Sequence, residues 1–243
     1  MMESGDRIEL APGVVLRAGV LHDSVRRIDV PLNATACLAF RSGATIAEIA
    51  VTLARLGARD AERDATSLAR ELNRLLLANV RATRRDRLRR RARALRFGIA
   101  VQAPVQRIAV DNARTFVAAL VPSACAVIAA LLPLASLAGT PGIAAAAAAG
   151  TGIVFHEAAH AVALVGVPRA LVLEGLKPSI LHPPVGASRT FAAATAGPLV
   201  PALLAVTISL AWRDAAPAVV PLAAHAFGLT VLAPDGRTAC GLS

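Results

Sequence analysis

Charged residues make up only 17% of this 243-residue chain, and long stretches have none. No Asp, Glu, Lys or Arg occurs from Thr115 to Phe155, from Thr190 to Trp212, or from Ala215 to Pro234. Together with a hydrophobic content of 56%, these gaps exclude an ordinary soluble protein of this length and lead us to expect a membrane protein. Cysteine is nearly missing too. Cys37, Cys125 and Cys240 are scattered and odd in number, which excludes a disulfide framework or thiolate metal site and suits a reducing cytoplasmic face. Aromatic residues are at 3%, so there is no interfacial belt, and only Trp212 marks a membrane boundary. Residues 1–30 lack an apolar core segment, so no cleavable signal peptide is expected.

A spanning helix needs about 20 apolar residues. The uncharged run from 115 to 155 is too long for one such helix and contains Gly139-Thr-Pro-Gly142, a turn signal. Spans are therefore expected at 115–138, 143–167, 191–212 and 216–234. Ahead of the first lie nine arginines between Arg81 and Arg96, and the 169–189 connection carries Arg169, Lys177 and Arg189. The positive-inside rule then puts both termini in the cytoplasm, in a multi-pass protein of the cell membrane. The arginine run reads as a basic juxtamembrane segment touching anionic membrane lipid, although a net charge of +10 also permits a nucleic-acid patch.

Into this apolar background the chain sets Phe155-His-Glu-Ala-Ala-His160. Helical residues four apart share a face, so His156 and His160 are placed to offer two imidazoles to one ion, with Glu157 one step round, near a metal-bound water. This is the HExxH arrangement of zinc hydrolases, in which the glutamate takes the proton of that water. Ionisable groups within a span are costly, which favours function over two buried histidines merely joining helices. Zinc needs a third protein ligand. Asp235, in Leu232-Ala-Pro-Asp-Gly-Arg237, is the best candidate, because Pro234 and Gly236 break the helix there; a plain Asp-Gly turn is the other reading.

With Phe155–His160, Ala196-Gly-Pro-Leu-Val-Pro201 and Ala233-Pro-Asp-Gly236, residues 107–240 resemble the site-2 protease family of intramembrane zinc metalloproteases. The resemblance implies Zn2+ held by His156, His160 and Asp235, Glu157 as general base, and peptide-bond hydrolysis at the cytoplasmic membrane face. Family members often carry Asn where this chain has Ala233, and Asn, Ser or Gly where it has Pro201, so the donor to a developing oxyanion is unassigned. Two readings stand for His225: it replaces that donor, or it hydrogen-bonds a neighbouring helix. In the 169–189 connection, 170–174 and 178–182 are expected to form either a small hairpin offering an edge to an extended substrate or an ordinary loop.

The first third of the chain reads as a separate α+β unit. Residues 13–30 suggest a β-hairpin turning near Asp23-Ser24, followed by helices from Asn33 to about Arg41, Thr45 to Leu56 and Ala61 to Val80. Thr45 and Glu48 form a capping box; Asp60 is expected to cap the last helix, whose apolar face is Ala65, Leu68, Leu72, Leu75 and Leu76. Leu32-Asn-Ala-Thr-Ala36, Ser42-Gly-Ala-Thr-Ile-Ala-Glu-Ile-Ala50 and Arg63–Leu72 resemble PqqD-like domains, which bind leader peptides of ribosomally made, modified peptides. The resemblance implies a leader strand docking between residues 26–30 and the helix 61–79. That helix balances Arg63, Arg70 and Arg74 against Glu62, Asp64 and Glu71, so peptide rather than nucleic acid is the expected partner.

The expected fold is mainly α: a four-span transmembrane helical bundle preceded by a small winged-helix-like α+β domain. Residues 8–80 would be the peptide-recognition domain, 81–113 a basic linker and 114–240 the protease. The expected function is leader processing of a modified peptide by a zinc endopeptidase. Regulated intramembrane proteolysis of a signalling protein, and a degenerate membrane-anchored peptide-binding or immunity protein, are the alternatives.

Overall fold

A computed structural model describes residues 2–82, 105–110, 112–174, 177–212 and 215–230. The chain divides into two compact units, Met1–Ala109 with Ala170–Gly175, and Val110–Arg169 with Leu176–Ser243. It is mainly helical, with small antiparallel sheets in the first unit.

In the first unit, β2 (Val14–Arg17), β3 (Val20–Asp23) and β4 (Ile28–Pro31) form a three-stranded meander. The sequence suggested a single hairpin. The extra turn is at Ala18-Gly19, where both residues have positive φ, 47° and 81°, as a two-residue hairpin loop of the inverted type requires. Alanine gave no warning of it. Helix α1 (Ala34–Ala39) starts at Asn33, whose side chain accepts from the Ala36 amide, and α2 (Ile46–Arg55) carries the reciprocal Thr45–Glu48 box. Ile46, Ile49, Ala50 and Leu53 are its buried face, the spacing of an amphipathic helix.

Helix α3 (Ala61–Arg74) is shorter than expected, and Asp60 sits at its cap position without a side-chain capping bond. Ala65, Ala69 and Leu72 turn inward. The chain then leaves the helix through Leu76 at φ 59°, and Ala78–Arg81 becomes β5, antiparallel to β1 (Arg7–Leu10). Burial decides this switch. Leu77, Ala78 and Val80 are all buried, which the strand pairing with β1 achieves and a continued surface helix could not.

Strand β6 (Gln106–Ala109) belongs to this unit and pairs with β7 (Ala170–Glu174). It is held by side chains that imitate backbone. The Asn79 amide donates to the Arg107 carbonyl at 2.8 Å and accepts from its N–H at 2.8 Å. Asn73 does the same at Val105, at 2.7 and 3.1 Å. Arg107, which falls in the stretch read as a linker, is 1% exposed. Its Nη1 and Nη2 donate to the two Asp23 oxygens at 2.7 and 2.8 Å. The Arg26 Nε donates at 2.6 Å, and the amides of Val25 and Arg26 add two more bonds. Burial by itself would raise the Asp23 carboxyl, but the hydrogen bonds from Arg107 and then Arg26 outweigh it and hold it at about 2.

The second unit contains α4 (Ala113–Leu137), α5 (Gly139–Ala163) and α6 (Ala187–Ala211), each of 25 residues. At about 1.5 Å per residue each reaches beyond a hydrocarbon core of about 30 Å, and all three are long and apolar enough to cross a membrane. Their outer faces expose Val121, Leu134, Leu137, Leu203 and Leu210, the reverse of a soluble surface. Ala138 alone connects α4 to α5, so the expected turn at 139–142 is instead the first turn of α5, a place where Pro141 costs no hydrogen bond. The expected fourth span departs most. Helix α7 covers only Ala216–Ala223 and continues as a 3-10 turn over Ala224–Leu229, and the rest of that span lies outside the described residues. Lys177–Leu181 forms a further short strand, β8, so both apolar stretches of the 169–189 connection are strands.

Candidate functional site

Gly152, His156 and His160 follow one another at four-residue steps along α5 and therefore lie on one face. The two imidazoles meet: His156 Nε2 is 3.1 Å from His160 Nε2, with the rings 75° apart. Glu157 is 7% exposed on the same helix. The His160 Nδ1 reaches the Ala193 carbonyl of α6 at 2.6 Å. A carbonyl only accepts, so His160 carries its proton on Nδ1, and the Nε2 of the neutral ring is a lone pair.

Two zinc–nitrogen bonds of about 2.0–2.1 Å at a tetrahedral angle hold their nitrogens about 3.3–3.4 Å apart. The observed 3.1 Å is within about 0.3 Å of that spacing, and the carbonyl behind His160 is the usual outer partner of a metal-bound imidazole. The pair therefore fits a zinc ion by donor type and spacing, and His160 also by tautomer. Among the described residues no group of three or more His, Cys, Asp or Glu is arranged to hold a metal. Asp235, the expected third ligand, lies outside the described residues, as do Ala233 and Asp214.

Small residues make room for these rings. A Cβ at Gly197, in the Ala196-Gly-Pro segment of α6, would run into the imidazole of His160. A Cβ at Gly152 would come 2.7 Å from His225 Nε2. His225, in the 3-10 turn, brings its Nδ1 to 3.2 Å from His156 Nδ1. It thus bonds a neighbouring helix, the second of the two sequence readings. The sequence gave no reason to pair it with His156, 69 positions away, because two breaks in periodicity intervene. The two glycines were visible as letters, yet only the packing reveals which histidine each accommodates.

With neutral rings, the proton on His160 Nδ1 implies one consistent order for the described contacts. His160 gives its Nδ1 proton to Ala193, His156 donates from Nε2 to His160, and His225 donates from Nδ1 to His156. Three neutral rings carry three protons, and each of these three described contacts then has one donor and one acceptor. Comparison with protein-family models, with curated proteins and with solved structures finds no match for this chain.

Proposed function

We propose that this chain is a membrane-embedded zinc endopeptidase that cuts a leader-bearing peptide at the cytoplasmic membrane face. The observation that carries the reading is the 3.1 Å convergence of His156 and His160 Nε2, on a helix without other charges besides the adjacent Glu157. His156 and His160 would hold the metal with Asp235, completing a three-ligand set with one open position. Bound there, zinc would supply an acidified water and polarise the scissile carbonyl. Glu157, buried and next to His156, would take that water's proton and pass it to the leaving amine.

In this reading the protein is a four-span bundle with both termini cytoplasmic. Strand β6 pairs with β7, so the chain enclosed between them leaves and returns at one place, which supports an even number of crossings by α4 and α5. The first unit would be a PqqD-like, winged-helix-related receptor for the leader. Support comes from β4, an edge strand of its sheet with mostly exposed residues, suited to adding a peptide strand. Tethering a precursor there would raise its concentration near α5.

The test is metal content of the detergent-purified full chain. About one zinc per chain, lost in His160→Ala and in Asp235→Ala, is expected. No zinc in the intact protein, or full retention without His160, would sink the proposal.

A further inference from the structure

His225 is placed to decide how His156 presents its ring. Its Nδ1 faces the His156 Nδ1 at 3.2 Å, and the site gives it room through Gly152, whose missing side chain would otherwise press on His225 Nε2. The Nε2 of His156 faces the opposite way, toward His160. We propose that His225 is a positioning residue for the metal site, accepting a hydrogen bond from His156 Nδ1 and so fixing the Nε2 lone pair of His156 toward the ion. This rests on the zinc reading above.

Proton arithmetic carries the argument. In the neutral series described above His156 holds its proton on Nε2 and accepts at Nδ1 from His225. To turn its Nε2 lone pair to an ion, His156 must hold the proton on Nδ1 instead, where, among the described residues, the ring of His225 is placed to accept it. His225 then keeps its own proton on Nε2. Each ring has one proton before and after, so the exchange, with solvent carrying the proton from His156 Nε2 to His225 Nε2, leaves the charge of the row unchanged. His160 is already set by Ala193. One ligand is thus oriented by backbone and the other by an adjustable ring, and outer partners of this kind typically affect metal affinity about 10–100-fold.

The experiment measures zinc affinity of the detergent-purified full chain by competition with a chromophoric chelator, and the visible spectrum of the Co2+-substituted protein. His225→Leu is expected to weaken zinc about 10–100-fold and to alter the cobalt spectrum. His225→Asn, whose side-chain oxygen falls near the position of Nδ1, should recover most of the affinity. Gly152→Ala, which displaces the ring without removing it, should weaken zinc in the intact background and add little to His225→Leu. Unchanged affinity in His225→Leu, or His225→Asn no better than His225→Leu, overturns the proposal while leaving the zinc reading in place. An intact chain that takes up no zinc overturns both.

Discussion

Each unit of this protein holds a polar cluster, buried in the first and half-buried in the second, and the two are built on opposite terms. In the first, Asp23 takes bonds from Arg107, Arg26 and two backbone amides, so the carboxylate's own bonding capacity is filled by opposite charges and amides. In the second, three like rings face one another in a row at 3.1 and 3.2 Å. Their protons are movable without net charge, and two lone pairs can be turned to a common point. A saturated ion pair holds a fold together but offers nothing to a ligand. A row of imidazoles presents nitrogens that can either donate or accept, the chemistry a metal or a proton uses.

The largest effects should separate the clusters by function. Glu157→Gln is expected to lower peptide hydrolysis about 100- to 10,000-fold, the range for losing a general base, with zinc content unchanged. A substitution that removes both activity and metal would show that Glu157 belongs to the metal's support instead. Arg107→Met should leave zinc content intact but destabilise the first unit by about 1.5–3 kcal/mol, since it takes two charge-assisted bonds from a buried carboxylate that keeps only Arg26 and two amides. Thermal unfolding followed by limited proteolysis would measure this, and Asp23→Leu combined with Arg107→Met should restore much of the loss. If Arg107→Met also released zinc, the two clusters would not be separable.

An acid titration sharpens the contrast further. The Asp23 carboxyl is held at about 2, below its ordinary value, so its contribution is fully present above the unfolded value near 3.8. It is lost as pH falls from there through about 2. The contribution is on the order of 2 kcal/mol. Asp23→Asn should flatten this part of the acid-unfolding curve. The smallest effect is expected at Thr45→Ala, which removes one side of the capping box and should cost about 1 kcal/mol in the unfolding midpoint of the first unit.

The same contrast explains what could be read from sequence. In the first unit, solvent imposes polarity on one face of each helix, so α2 was legible with its cap. In the second, every face is apolar, and composition announced four spans, of which three are long helices, without saying which sides meet. Local chemistry misled where distant packing decided: Ala78–Arg81 continued a helical pattern but is a strand because Arg7–Leu10 is available to pair with it. His156 and His160 were legible because their relation is local, four residues along one helix. His225 was not, because its relation to them depends on a 3-10 turn that no periodicity marks. Arg107 looked like one more basic residue beyond the arginine run, and only Asp23 and Asn79, far back in the chain, give it its buried place.

The pairing of β6 with β7 also has a history written into it. Strand β7 begins at Ala170, after α4 and α5, so a ribosome finishes the sheet of the first unit only once both long apolar helices have been made. Translation adds about 5–20 residues per second, and the roughly 60 residues between these strands therefore impose a delay of about 3–12 seconds. During that interval the edge of β6 waits for its partner. Synthesis of both long apolar helices and completion of the first unit's sheet are consequently events in a fixed order, with the helices made first.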